Sequence, residues 1–332
     1  MKKNLYRTDL ALELLDVKKK KHYIHEEIKD GIKVTNIRLN KADASKISKK
    51  PGNYITLEFS DISNYEKKVS LIKVLSYYLK PLVNKKEKVL IIGLGNERST
   101  PDSLGPLSLK HVIVNSPLLD INLSDDFVRT YAFAPSVMGE TGIETSDFIK
   151  VLVELLKPDL VILIDALASS SIDRLNKTIQ INDTGISPGS GIGNKRKEIT
   201  KEIIGVDVIA LGVPTVVDAA TIVGDTIDYM YKYFAYTKDN FKTPSSKLKV
   251  GVTDYKKINK TISDLEKKEL FGMLGSLNND EVKSLMMEIL SPINYNLMVT
   301  PKEIDFLIKD LAEVIGNAIN YALNSNVTNY LN

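Results

Sequence analysis

The chain has 332 residues, with 45 Lys and Arg against 42 Asp and Glu, three histidines, and neither cysteine nor tryptophan. The missing thiol excludes disulfides, cysteine-ligated zinc and a cysteine nucleophile. A net charge of +3 gives no electrostatic case for nucleic acid, and 43% apolar residues without a bilayer-length run fit a soluble globular chain. At about 150 residues per domain, the length suits two domains or one large α/β domain with additions.

After Met1, Lys2 and Lys3, the charges of Arg7, Asp9 and Glu13 interrupt any export-signal core, so a cytoplasmic location is expected. Residues 1–30 are polar, and the basic run Lys18 to Lys21 reads as a solvated face. His22 and His25 share a helical spacing but have no evident third metal ligand. Alternation through Ile32, Val34, Ile37, Leu39, Tyr54, Ile55, Leu57 and Phe59, around the turn Lys50-Pro51-Gly52-Asn53, predicts short antiparallel strands. From residue 62 the period becomes helical, with Val69, Leu71, Ile72, Leu75 and Leu79 on one stripe that stops at Pro81.

Lys88 to Gly95 predicts a buried strand ending in a glycine turn. A helix after Ser103, a strand near Val128 to Ala134, a helix from Thr145 to Leu156, and strands over Leu160 to Ile164 and Val206 to Leu211 follow, then a helix after Thr215. This alternation implies an α/β fold with a mostly parallel central sheet flanked by helices. Residues 236–260 are polar and turn-rich, and Thr300-Pro301-Lys302-Glu303 reads as a capping-box start to a helix striped by Ile304, Leu307, Leu311, Ile315 and Ile319.

In open α/β sheets, reacting groups gather at the carboxyl ends of strands. The loops after Gly95 and Ile164 each carry an aspartate, Asp102 and Asp165, and Asp165 follows four apolar strand residues where a carboxylate is costly without a partner or a task. Either could instead serve as a helix cap or turn residue. The glycine loop lacks a dinucleotide fingerprint, since Arg98 stands where the third glycine belongs, and no Walker A pattern occurs. The stretch Gly185 to Arg196 reads equally as an anion cradle or a surface loop. Gly185-Ile-Ser187-Pro-Gly189 imitates a nucleophile elbow, but Pro188 has no N–H for an oxyanion hole and all three histidines precede Ser187. Carboxylate chemistry, with two aspartates sharing a proton and activating water, is the conventional hydrolytic option left.

The chain resembles the germination protease family along nearly its whole length. The resemblance rests on Arg7 to Ala11, Lys50 to Glu58, Gly93 to Pro106, Pro135 to Thr145, Ile164 to Ala168, Gly189 to Asn194, Gly212 to Ala219 and Met298 to Ile304. It implies a phosphorylase/hydrolase-like α/β fold, similar to that of hydrogenase maturation peptidases, with Asp102 and Asp165 as the catalytic pair. Those relatives also bind metal through a histidine, but this chain has none after His111, which favours a metal-free, cofactor-free aspartic mechanism.

The resemblance further implies a zymogen of the forespore and spore core that removes its own N-terminal segment. Small acid-soluble spore proteins would be its substrates, cut after glutamate in a pattern like Glu-Ile/Phe-Ala-Ser-Glu. Asp9-Leu10-Ala11-Leu12-Glu13 matches that pattern with aspartate first, so cleavage is expected between Asp9 and Leu10. Residues 1–9 would be a propeptide, and residues 10–332 one peptidase domain with an excursion around 236–295. Glu97 and Asp218 are candidate supporting groups, Arg98 and Arg196 candidates for binding acidic substrate residues, and Asn194 lies in a matched segment. A homotetramer is implied, with no direct nucleic-acid or membrane partner. The rival readings are a metal hydrolase using Asp102, Asp165 and Asp218, and a non-catalytic binding protein.

Overall fold

The computed structural model describes residues 8–15, 23–116, 127–189, 196–241, 253–255, 258–290 and 297–324. Lys18 to Lys21, His22, Asn194 and much of the polar stretch 236–260 lie outside the described residues. The chain divides into two compact units, one of residues 1–216 with 300–332 and the other of residues 217–299.

The first unit is built on strands β1 (Ile24–Lys29), β2 (Ile32–Leu39), β3 (Gly52–Glu58), β4 (Lys88–Gly93), β5 (Arg129–Phe133), β6 (Leu160–Ser169), β7 (Thr178–Asn182) and β8 (Asp207–Asp218), the last running two residues into the second unit. Their order is β1-β2-β3-β7-β8-β6-β4-β5. β4 pairs in parallel with β5 and with β6, whereas the ladder from β1 through β2, β3 and β7 to β8 is antiparallel. The α/β sheet with added antiparallel strands is therefore present, and its antiparallel share is larger than the sequence suggested. β7 gave no separate signal, β1 hid within a charged segment, and β6 and β8 run on past Ile164 and Leu211 to Ser169 and Asp218.

Period-two geometry divides the apolar run of β4 between two cores. Val89 and Ile91 pack with Leu71, Leu75 and Leu79 of the helix Tyr65–Val83 and with Ile315 and Ile319 of the helix Ile304–Leu323. Leu90 and Ile92 pack on the other face with Ile149 and Val153 of the helix Thr145–Leu156. Two sequence expectations shift here. Pro81 lies inside the helix that it was expected to end, in the last turn, where its missing N–H forfeits one hydrogen bond and the helix closes at Val83. Thr300 is not a helix cap: its hydroxyl donates to the Thr215 carbonyl at 2.8 Å, and the helix opens at Ile304 after Glu303.

The second unit contains the helices Ala219–Phe241, Asp264–Phe271 and Asn279–Leu290, with β9 (Met298–Val299) antiparallel to Val217 and Asp218. Ser263 and Glu266 form a reciprocal capping box, and Tyr231 meets Phe271 edge-on at 5.0 Å. Among the described residues, no helix is long and apolar enough to cross a membrane.

Three glycines fix the turn after β4. A Cβ on Gly105 would lie 2.2 Å from the Leu94 carbonyl oxygen, and one on Gly93 would lie 2.5 Å from the Gly105 carbonyl group. Gly95, at φ +109°, leaves no room for a Cβ, which would fall 2.0 Å from the Asp102 carbonyl oxygen. The helix Leu104–Leu109 thus rests with its backbone directly on the end of β4. In an open helix, Gly→Ala gains about 1 kcal/mol of propensity. Here the clash is with backbone, so Gly105→Ala is expected to destabilise by about 1–3 kcal/mol, measured by urea unfolding. A neutral or stabilising result would show that the seam can relax.

Candidate active site

Asp165 lies within β6, one residue past the last parallel rung, Gly93↔Ile164. The Leu94 N–H still donates to the Ile164 carbonyl at 2.8 Å before the chain turns away. Four apolar strand residues bring the carboxyl to this point, so Asp165 is 7% exposed, with Oδ1 accepting from the Ala166 N–H at 3.0 Å. Asp102 closes the single 3-10 turn Thr100–Asp102. Its Oδ2 accepts from the Asn96 N–H at 2.9 Å, and the Thr215 hydroxyl ties the turn to β8 by donating to the Pro101 carbonyl at 2.7 Å.

Burial pushes the Asp102 carboxyl up to about 6, against the Asn96 N–H, which favours the ionised form. Asp165 is raised well above the ordinary carboxylate range, first by burial and then by the negative charges of Asp102 and Asp9. The fold therefore gathers three carboxyl groups, and their environments raise both sheet-edge aspartates, Asp165 being the more deeply buried.

Asp9 arrives with the N-terminal segment. Leu10 and Ala11 have no exposed surface, and Ala11, Leu12 and Leu15 pack with Ile37, Leu39, Ile47 and Tyr54. The Asp9 N–H donates to the Ala168 carbonyl at 3.0 Å, and the Ala168 N–H returns a bond to Asp9 Oδ2 at 2.9 Å. The Asp9 carbonyl accepts from Lys49 Nζ at 2.9 Å and Gln180 Nε2 at 3.3 Å. Glu13, whose side chain is 2% exposed, accepts from the Ser169 hydroxyl at 2.6 Å, the Ser170 N–H at 2.7 Å and Arg174 at 3.3 Å. A cavity of about 150 Å³ opens alongside, lined by residues that include Asp9, Lys49, Gln180, Ser187 and Glu198.

The remaining sequence candidates lie elsewhere in local contacts. Exposed Glu97 pairs with Lys110, Arg98 faces Glu140 at 3.7 Å, and Arg196 faces Glu144 at 3.9 Å. Buried Asp218, in the second unit, accepts from the Ala220 N–H at 2.8 Å and opens the helix Ala219–Phe241. Among the described residues, no group of three or more His, Asp or Glu side chains is arranged to hold a metal ion. Lys49, Gln180, Ser169, Ser170 and Arg174 escaped sequence reasoning. They belong to no spacing motif, and only Glu13, the end of the recognised pattern, pointed towards partners of this kind.

The family model described as germination protease matches residues 8–331. Curated germination proteases from Bacillus subtilis (strain 168) and Bacillus cereus (strain ATCC 10987 / NRS 248) are 43% and 44% identical, over 98% and 97% of this chain and 95% and 94% of theirs. The relative from Geobacillus sp. (strain WCH70) is 42% identical over 97% of this chain and 94% of its own. A solved hydrogenase maturation protease from Thermococcus kodakarensis KOD1 is 19% identical over 42% of this chain and 80% of that one, with a TM-score of 0.28, too low to carry an argument.

The raised pKa of Asp165 has a consequence for stability. An unfolded aspartate ionises near pH ~3.9 while the buried one keeps its proton, so above that pH the unfolded state binds fewer protons and stability falls as pH rises. Asp165→Asn removes this cost. Its melting temperature should match the parent's below about pH 4 and exceed it by a widening margin towards neutral pH, equivalent to about 1–3 kcal/mol. Thermal melts across that range giving a constant or negative difference would contradict the burial penalty.

Proposed function

The chain belongs to the germination protease family, and on that premise we propose that it is a self-processing aspartic endopeptidase that cuts between Asp9 and Leu10 and then attacks small acid-soluble spore proteins. The observation that carries this reading is the seat of Asp9. The residue that the substrate pattern puts before the cut bond is held against Ala168 of β6, close enough to Asp165 for its charge to raise that carboxyl. The pattern's second acidic residue, Glu13, is also fully engaged, by Ser169, Ser170 and Arg174. These contacts support reading the N-terminal segment as a substrate in place.

Two carboxyl groups with separated acidities suit the division of labour that amide hydrolysis needs. Asp165, buried and raised furthest, keeps its proton at neutral pH and serves as the acid for the departing amine of Leu10. Asp102, ionised above about 6 and supported by the Asn96 N–H, serves as the base that takes a proton from water. The two are coupled: burial first, and then the negative charge of Asp102, favour the protonated form of Asp165. In this proposal the docked segment occupies the place of a substrate and would keep the uncut protein silent towards others. The homotetramer and the spore-core location rest on family resemblance alone and belong to the same proposal.

Asp102→Asn and Asp165→Asn should each abolish self-processing and cleavage of acid-soluble spore protein while leaving the circular dichroism spectrum unchanged; substantial turnover in either variant would refute the pair. Intact-mass analysis of the active form should show loss of residues 1–9, and a different new N-terminus would move the cut bond. The pH profile of kcat should rise through about 6, as Asp102 ionises, and fall at higher pH as Asp165 loses its proton. Saturating EDTA should leave the rate unchanged. A rate abolished by EDTA and restored by a divalent metal would favour the metal-hydrolase reading.

A further inference from the structure

Lys49 and Gln180 lie outside the aspartate pair, yet both direct a donor at one atom, the carbonyl oxygen of Asp9. Gln180 comes from the middle of β7, where its neighbours Ile179 and Ile181 point to the apolar face and its own side chain to the other. It is 4% exposed, and a buried amide in a central strand is costly unless each end is bonded. Its Oε1 accepts from the Ala11 N–H at 2.8 Å while its Nε2 reaches the Asp9 carbonyl at 3.3 Å. One side chain therefore spans the Asp9–Leu10 peptide bond and grips the backbone on both sides. Those two bonds also settle which end of the amide is nitrogen.

Lys49 reaches the same oxygen from the opposite side of the sequence, following the helix Lys41–Lys46, with its N–H bonded to the Ala44 carbonyl at 3.0 Å. Its Nζ stands 2.9 Å from the Asp9 carbonyl oxygen. Burial lowers the Lys49 ammonium below the ordinary lysine range, and the charges of Asp9 and Glu13 offset part of that shift. A structural tie for this segment needs only one neutral donor per carbonyl. A partly buried lysine amine added to an amide donor, both on the oxygen of the bond expected to break, exceeds that need and matches the requirement for stabilising developing negative charge.

We propose that Lys49 and Gln180 form the oxyanion site of this peptidase. The proposal rests on the reading of Asp9–Leu10 as the cut bond. Water attacks the Asp9 carbonyl carbon and gives a proton to Asp102, and the carbonyl π electrons move onto the oxygen facing Lys49 and Gln180. Collapse re-forms the C=O bond and breaks the C–N bond as Asp165 passes its proton to the Leu10 nitrogen. The products are a carboxyl group on Asp9 and an amine on Leu10. Exchange with solvent then returns the proton from Asp102 to Asp165. Substrates in trans place the carbonyl of their own acidic residue on the same two donors.

The test uses the full chain for self-processing, and the form converted in trans by unaltered protein for cleavage of a small acid-soluble spore protein. Lys49→Met and Gln180→Leu should each lower kcat about 100-fold with KM changed less than about threefold, the signature of a contact strengthened in the transition state. Lys49→Arg, which keeps the charge, should recover at least about tenfold over Lys49→Met. A parental kcat in both, or a rise in KM with kcat unchanged, would overturn the assignment and leave the two residues as binding contacts. If Lys49→Met does not fold, Gln180→Leu decides by the same two constants. Asp102→Asn is measured in parallel: its inactivity beside parental Lys49→Met and Gln180→Leu defeats only the oxyanion site, whereas activity in Asp102→Asn defeats the underlying mechanism.

Discussion

The contact on which the site depends is between two stretches of backbone. The chain leaving β4 and the helix beginning at Leu104 meet at Gly93, Leu94 and Gly105, with no side chain between them. Such an approach draws the intervening loop into a tight return, and Gly95 lets the Asp102 carbonyl close over it. Asp102 is thereby carried back to the edge of the strand that precedes it. Since β4 is in register with β6 through Gly93↔Ile164, the same seam that places Asp102 sets it against Asp165. A glycine pattern that looks like a phosphate cradle is here a device for bringing two carboxyl groups to one sheet edge.

That placement costs stability, and the same burial raises both carboxyl groups. A carboxyl at the end of four buried apolar residues cannot ionise cheaply, and a second carboxylate nearby raises the cost further. Asp102 escapes part of the penalty through the Asn96 N–H and remains the more acidic of the two. The asymmetry follows from secondary structure. One aspartate is embedded in a strand, whereas the other ends a 3-10 turn and accepts from the Asn96 N–H of the loop before it.

Much of this was legible in the sequence, for identifiable reasons. The apolar runs before Gly93 and Asp165 announced strands with reactive ends, and alternation over Ile32 to Phe59 announced the antiparallel ladder. Boundaries were less legible where polar residues continue a strand. Asp165 to Ser169 and Gly212 to Asp218 pair into the sheet, although an aspartate, a glycine or a proline interrupts the apolar pattern. Lys49, Gln180 and Arg174 could not be found by spacing, because each meets the N-terminal segment through contacts between 40 and 171 positions apart in sequence. Thr300 shows the same limit on a smaller scale: a hydroxyl with a good local use as a cap was claimed by a distant carbonyl.

The docked segment also orders the events around the bond. Residues Leu10 to Leu15 are held by an apolar cluster and by the Glu13 carboxylate, which accepts from Ser169, Ser170 and Arg174. The segment and the reacting groups belong to one chain, so the encounter costs no translational entropy, and well-oriented reactions of this kind reach effective concentrations of about 10⁵ M or more. Slow self-cutting would then be limited by the protonation of the pair and not by binding. Hydrolysis changes the balance at one place. On the proposed reading, it would leave a carboxylate on Asp9 facing Lys49 and Gln180, and an amine on Leu10. On the same reading, cutting would separate Asp9, held by Ala168, Lys49 and Gln180, from Ala11, Leu12 and Leu15, which keep the apolar cluster, and from Glu13, which keeps Ser169, Ser170 and Arg174.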